Sequence, residues 1–477
     1  MTKAQPAFGL AVLAALCGCA AGPDFDRPEA PAADRYTLSA TGTTVAAEGV
    51  SQRFAMGETL AADWWRMFRS PPIDAAVKAA VEGNPGLQAA QARLRQSRNL
   101  AQAGYGVFFP SLGTDANGTR QQISPAKLDQ PGTGSVFNLF TLSATINYAL
   151  DVFGGQRRQV EELEAQADTL RYQERGAYLT LTANVVNAMI AKAAYKAEID
   201  ATAALIELQT QQVHLAEVQA KAGTAAYSSV LALRSQLAAT QATLPQLQQK
   251  LGQTDDLLAA LSGRAPAERQ AVELDFSQLT LPDDLPVSLP SDLVRQRPDI
   301  LASEAAAHAA SADIGVATAA MLPSFTMSGT YGVNATQTAS LFGANSKFWS
   351  YGLDASLPVF EGGTLLSKRE AAIENYRAAM GDYRQTVLNA LAQVADTLRA
   401  LDHDAQALQA ENEAVDMAGQ GLRLVNANFT AGIANYTDVL IADAQYHQTM
   451  ITALQLKAVR YQDTVALFTA LGGGWWN

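Results

Sequence analysis

Two stretches of this 477-residue chain run through the same punctuation in the same order. Asn84-Pro85 opens a helical stretch that ends at Phe109-Pro110, and Arg297-Pro298 opens one that ends at Leu322-Pro323. Val152 to Gly155 (VFGG) is echoed by Val359 to Gly363 (VFEGG). Ala222-Gly223 with Tyr227 and Val230-Leu231 is echoed by Ala431-Gly432 with Tyr436 and Val439-Leu440. The offset between the halves stays between 207 and 213 residues, which chance does not give. The chain is therefore two copies of one helix–strand–strand–helix–helix unit. A pseudo-symmetric wall of this kind places function in an assembly more readily than in a pocket.

The strands of the repeat constrain its surroundings. Residues 138–150 alternate Phe140, Leu142, Ala144, Ile146 and Tyr148 with Thr141, Ser143, Thr145 and Asn147. Residues 324–334 and 349–358 alternate in the same way, and 111–121 form a weaker, more polar copy. Period two over about ten residues, with aromatics near the ends, fits an outer-membrane strand; a half-buried soluble sheet would use strands of about five or six residues. No apolar stretch of helix-spanning length follows Cys19, so a membrane crossing must be made by strands. Four strands cannot close a barrel, and an open edge in lipid leaves backbone groups unpaired. Two chains would supply eight strands, and three would supply twelve. Ser, Thr and Asn on the inward face suit a wet lumen, which favours three.

The first residues set the compartment. Lys3, the apolar run Phe8 to Leu16 and the sequence Leu16-Cys17-Gly18-Cys19 have the layout of a secretory signal, too short to span a bilayer. Leu-x-Gly-Cys resembles a bacterial lipobox, which makes residues 1–18 the signal peptide and Cys19 the lipidated first mature residue. An ordinary cleaved signal with two incidental cysteines is the alternative. Both cysteines lie here, so the mature chain has neither a disulfide nor a thiol ligand set. The net charge of −12, without a basic cluster, makes nucleic acid an unsuitable partner.

The remainder reads as long helices. Gln156 to Ala222 contains no proline and one glycine, Gly176, with apolar positions recurring at threes and fours. Such a run reaches roughly 100 Å at about 1.5 Å per residue. Gly223 and Gly432 mark its turns. Alanine-rich faces and polar positions such as Gln209, Gln211 and Gln212 predict a hollow wall of paired helices, since a filled bundle would show wider apolar stripes. The segments are then 19–62, a lipidated N-terminal arm; 63–263, the first repeat; 264–296, a proline-rich linker; and 297–477, the second repeat. Polar loops are expected at 122–136 and 335–347.

Several motifs carry a resemblance over the whole mature chain: Cys19 to Pro28 (CAAGPDFDRP), Asp63-Trp64-Trp65 with Phe68, Leu289 to Ile300 (LPSDLVRQRPDI), Ala312 to Ala317 (ADIGVA), Leu357 to Gly363 (LPVFEGG) and Ala470 to Trp475 (ALGGGW). Together they resemble the TolC-like outer-membrane efflux lipoproteins of the OprM/NodT branch. The resemblance implies a mainly α homotrimer with membrane β: a 12-stranded outer-membrane barrel, four strands per chain, continuous with a long periplasmic α-helical barrel. It implies an equatorial region built from the linker and both termini. It also implies docking to a periplasmic membrane-fusion adaptor and an inner-membrane transporter of the resistance–nodulation–division class. The chain would be the passive exit duct for small toxic compounds. Gly223, Tyr227 and Gly432 are the expected adaptor contacts at the helix tips. A duct must shut at rest, and Tyr436, Thr437, Asp438 and Asp443 are the expected periplasmic gate. The ring-forming acid of this branch falls where this sequence has Ile441, and Asp438 and Asp443 flank that position. A threefold ring of carboxylates would attract cations; solvated helix-surface charges are the alternative.

Enzymatic readings find no support in the residues. His214, His308, His403 and His447 are scattered without metal-ligand spacing, so neither metal nor cofactor is expected beyond the lipid on Cys19. Ser124 to Lys127 has the spacing of a penicillin-binding nucleophile but lacks a Lys-Thr-Gly partner. Two further readings remain: a duct for type I protein secretion, and a structural lipoprotein that tethers the envelope.

Overall fold

A computed structural model describes residues 20–37, 42–123, 134–268 and 273–476. Cys19 and the Ser124–Lys127 motif lie outside them. The element order is β1 (Arg53–Met56), α1 (Pro71–Gly83), α2 (Pro85–Gly104), β2 (Ser111–Ile123), β3 (Ser135–Leu150), α3 (Gly155–Lys221) and α4 (Tyr227–Leu261). After the linker come β4 (Asp284–Val287), α5 (Pro290–Gln296), α6 (Pro298–Ala319), β5 (Ser324–Ala335), β6 (Lys347–Ser356), α7 (Thr364–Thr430) and α8 (Tyr436–Ala470).

The duplication is visible in the element lengths. Helices α3 and α7 have 67 residues each, and α4 and α8 have 35 each. Helices α2 and α6 begin at prolines that the sequence marks, and α3 and α7 begin at or directly after its paired glycines. Pro85 and Pro298 occupy first-turn positions, where a missing N–H leaves no helical bond unmade. Strand β6 ends at Ser356, two residues short of the expected 358, because Pro358 cannot donate to a ladder. Among the described residues no helix is long and apolar enough to cross a membrane.

Contacts divide the chain into two units, each drawing on both repeats. The first takes residues up to Pro28, Leu94–Leu170 and Ser303–Tyr383 and holds the membrane sheet. Its strands run antiparallel in the order β2-β3-β5-β6, so one hairpin from each repeat meets at β3–β5. The register sorts the side chains by face. Leu112 lies opposite Ile146, Leu142 opposite Val333, Tyr331 opposite Trp349, Gly329 opposite Tyr351 and Met327 opposite Leu353. Directly opposed residues share a face, so one surface is largely apolar across β3, β5 and β6, to which β2 adds Leu112 and Ala116, and most of its large residues are exposed. The other face carries Asn117, Thr141, Thr145, Thr330 and Ser350, and Thr145 and Thr330 share a hydroxyl–hydroxyl bond of 3.1 Å. Polar on one side and lipid-compatible on the other is the division a water-filled membrane barrel requires.

The second unit, Glu29–Arg93, Arg171–Ala302 and Arg384–Asn477, contains the principal aromatic core. Trp64 and Phe68 meet Phe468 with ring centroids 5.6 and 6.3 Å apart, and Phe276 lies 5.6 Å from Tyr461. Strand β1, from the arm, pairs in parallel with β4, from the linker. The Tyr461 hydroxyl of α8 donates to the Leu279 carbonyl at 2.9 Å. Arm, linker and C-terminal helix thus condense around one cluster.

Candidate functional site

Both helical hairpins turn by the same device. At the first, Gly223 (φ +74°) donates its N–H to the Ala220 carbonyl and Thr224 donates to Gln219. At the second, Gly432 (φ +74°) donates to Phe429 and Ile433 to Asn428. This pair of bonds satisfies the last helical carbonyls and requires a left-handed residue, which is why glycine stands at both turns. Tyr227 and Tyr436 begin the return helices and are exposed.

The two return helices start differently. Ala226 offers α4 no side-chain cap, whereas Asn435 and Asp438 cap α8 reciprocally. The Asn435 side chain accepts from the Asp438 N–H at 3.0 Å, and the Asp438 carboxylate accepts from the Asn435 N–H at 3.1 Å. Asp438 therefore has a structural role that the gate expectation did not include, although Asn-x-x-Asp ahead of an apolar run is itself a helix-start signal. The Tyr436 hydroxyl donates to Gln211 of α3 at 3.1 Å, tying the second tip to the first hairpin. Thr437 is half-buried beside it. Asp443 lies half-buried, 3.6 Å from His447 Nε2. Asp438 and Asp443 are five residues apart, about 140° around the helix, so they face different directions and cannot line one opening together. Tyr436, Thr437 and Asp438 share the first turn; Asp443 does not join them.

Directly after Cys19, residues 20–27 are seated in the first unit by contacts that no local pattern announces. The Ala21 N–H donates to the Phe153 carbonyl at 2.7 Å. Arg158, nearly buried, donates to the Ala21 carbonyl at 3.2 Å, to Asp24 at 2.5 Å and to Glu161 at 2.7 Å. Glu161 is bonded in turn to His308 at 2.8 Å, and Phe25 stacks on the His308 ring at 4.6 Å. Arg27 pairs with Glu304 at 2.8 Å. The seat is so close that a Cβ on Gly315 would come within 2.7 Å of the Ala21 carbonyl. Replacing Arg158 with Ala should free this segment, making the Asp24–Phe25 bond sensitive to thermolysin while the parent resists. Removing a buried cation from its partners costs about 3–5 kcal/mol, reduced here to about 2 because Asp24 is solvent-exposed. Unchanged protease resistance would show that the seat does not depend on Arg158.

Two further buried groups escape sequence reading. Arg460, 1% exposed, has no carboxylate partner among the described residues; it donates to Gln52 Oε1 at 3.0 Å and to the Val50 carbonyl at 3.3 Å, holding the arm to α8. Near it, Asp404 of α7 faces Asp463 of α8. Burial, and then the neighbouring carboxyl, push Asp404 up to about 7, against the opposing pull of Arg460. Among the described residues no cluster of three or more His, Cys, Asp or Glu is arranged to hold a metal ion.

With this architecture in place, comparison with known proteins is decisive. The model of the family "Outer membrane efflux protein" matches residues 76–264 and 289–473, one match per repeat, and the chain belongs to that family. Curated relatives include the pyoverdine export outer membrane protein OpmQ of Pseudomonas aeruginosa, 26% identical over 88% of this chain and 90% of that protein. The cation efflux system protein CusC of Escherichia coli is 26% identical over 97% of both chains. The toluene efflux pump outer membrane protein TtgF of Pseudomonas putida is 26% identical over 98% of this chain and 97% of that one. Among solved structures, the outer-membrane channel OprN superposes with a TM-score of 0.84 at 26% identity, covering 96% of this chain and all of that one. The protein is an outer-membrane efflux channel, a transport duct and not an enzyme. Its fold class is the one expected: mainly α with membrane β, internally duplicated, contributing four strands to a trimeric channel.

Proposed function

We propose that the chain is the exit duct of a tripartite pump, taking small toxic compounds from an inner-membrane transporter of the resistance–nodulation–division class through a periplasmic adaptor. The observation that carries this reading is the four-stranded sheet, largely apolar on one face and polar on the other, whose edges β2 and β6 are unpaired among the described residues. In lipid those edges must pair with another copy, and three copies close twelve strands around a lumen wide enough for solutes. Cys19 carries the lipid, one residue before the seated segment 20–27, which holds the anchored arm against the start of α3. The cargoes named for the relatives are pyoverdine, cations and toluene, a range that fits a duct whose selectivity lies in its pump partner.

The gate belongs to the second hairpin tip, where Tyr436, Thr437 and Asp438 share one turn. Replacing Asp438 and Asp443 together with Ala should make cells leaky to large antibiotics. Asp438→Asn, which keeps a side-chain acceptor for the cap but removes the charge, separates gate from cap. Normal resistance in the double variant at normal trimer levels would refute the gate. The adaptor reading is tested by photo-crosslinking from probes at Tyr227 and Tyr436 in cells. Capture of a membrane-fusion adaptor, followed by identification of its pump, is expected. Capture of a secreted-protein transporter complex would favour type I secretion, and products limited to this chain or to peptidoglycan-bound proteins would favour a tether.

A further inference from the structure

A groove in the second unit lies where α3 forms the floor between α4 and α8, one helix from each hairpin. Its volume of about 340 Å³ is within the range of small-molecule sites. The floor carries two buried polar side chains one helical turn apart, Glu198 (5% exposed) and Thr202 (2% exposed). One carboxylate oxygen of Glu198 accepts from Gln455 of α8 at 2.9 Å. Its second oxygen and the Thr202 hydroxyl make no further hydrogen bond among the described residues and are not sealed from solvent; both open onto the groove. Residues four apart on a helix stand about 5–6 Å from each other, so one small group can reach both acceptors. The walls supply amides and hydroxyls, including Gln236 and Thr240 from α4 and Gln448 from α8.

A nearly buried carboxylate with one oxygen open to a polar groove is answered there by water, and a cationic donor that takes the water's place gains a charge-assisted hydrogen bond. Burial raises the Glu198 pKa, and the Gln455 hydrogen bond and then Lys250, a cation of the lining, oppose that shift. Lys250 is itself exposed, with its Nζ 5.7 Å from the centre of the Tyr195 ring, so it answers the carboxylate only weakly.

We propose that this groove binds a small organic cation through a primary ammonium group, held by Glu198 and Thr202 and bridging the two hairpins between α4 and α8. An ammonium has three donors and no acceptor, which matches a carboxylate, a hydroxyl and the wall amide carbonyls. A metal ion is a poorer occupant, since among the described residues a single carboxylate lines the groove and a lysine shares the lining. The site is independent of the duct reading: it concerns a groove of one chain and not the lumen or gate.

The test is titration calorimetry of the full-length protein in detergent with 1,5-diaminopentane, using 1,5-pentanediol as the uncharged control. Saturable binding of the diamine and none of the diol are expected. Glu198→Gln keeps an acceptor for Gln455 and should weaken binding about tenfold or more, the effect of one charge-assisted hydrogen bond. Lys250→Gln removes the competing cation and should tighten it about threefold. Ala239→Phe, placed in the wall, should abolish binding without altering charge, which keeps the proposal testable if Glu198→Gln fails to fold. Equal affinity in parent and Glu198→Gln would overturn it, as would no heat of binding with the parent, the result expected if a second copy fills the groove.

Discussion

Tyr351→Pro should eliminate heat-resistant trimers, whereas Tyr351→Ala should retain most of them. The difference follows from the ladder of β6. The Asn334 N–H donates to the Ser346 carbonyl, and these two residues stand opposite each other in the β5–β6 register. In an antiparallel pair, hydrogen-bonded positions alternate, so 348, 350 and 352 face β5 while 349, 351 and 353 turn their N–H groups to the free edge. Proline at 351 therefore spares the β5–β6 ladder and removes a donor only from the edge that must meet a second copy. In hydrocarbon each unsatisfied backbone group costs several kcal/mol, and a threefold assembly repeats the loss three times. Alanine removes an exposed ring, stacked on Trp349 at 5.7 Å, but leaves the donor. Unheated samples of both variants on a denaturing gel, with membrane fractionation of the chain, decide the matter. Equal trimer yields would mean that β6 is not a subunit edge.

Much of this fold was legible because its signals are local. Proline at Pro85 and Pro298, glycine at Gly223 and Gly432, and alternation in β3, β5 and β6 each act within a few residues, and duplication let each be read twice. Polar β2 was the hardest strand to recognise: its membrane face holds little beyond Leu112 and Ala116, and only pairing with β3 shows it to run thirteen residues. The site was less legible, for two reasons. Asp438 stood out as an acid near a helix tip, yet the same spacing from Asn435 also spelled a capping box, and sequence alone does not rank the two roles. Contacts such as Arg158 with Asp24, Arg460 with Gln52 and Asp404 with Asp463 join residues 134, 408 and 59 positions apart, and no periodicity connects such partners. Glu198 likewise reads as one acid among many on a long helix until α4 and α8 bury it.

The Asp404–Asp463 pair gives the second large effect, a stability that falls as pH rises through neutrality. Asp404 Oδ2 is buried and finds no donor among the described residues, so the two carboxyls can be bonded only through a proton held between them. The pKa of Asp404 is about 7 in the folded chain, against an ordinary value of ~4 in an unfolded one. A folded-state pKa raised in this way contributes stability that is complete below about pH 4 and is lost progressively as pH climbs to about 7. Above that, two carboxylates confront each other between α7 and α8, with Arg460 as the nearby cation. A shift of about three units corresponds to roughly 4 kcal/mol, and solvent access and sharing of the proton between two sites reduce this to about 2. Thermal unfolding followed by circular dichroism should therefore show a higher midpoint at pH 5.5 than at pH 8. Asp404→Asn, which supplies an amide donor to Asp463 without a charge, should raise the midpoint at pH 8 and flatten the dependence; Asp463→Asn should act in the same direction. Carboxylates elsewhere in the chain with lowered pKa values, such as Asp74 at about 2, lose their contribution only at much lower pH and cannot mimic this window. A parent profile that rises between pH 5.5 and 8, or one left unchanged by both asparagines, would place the proton elsewhere.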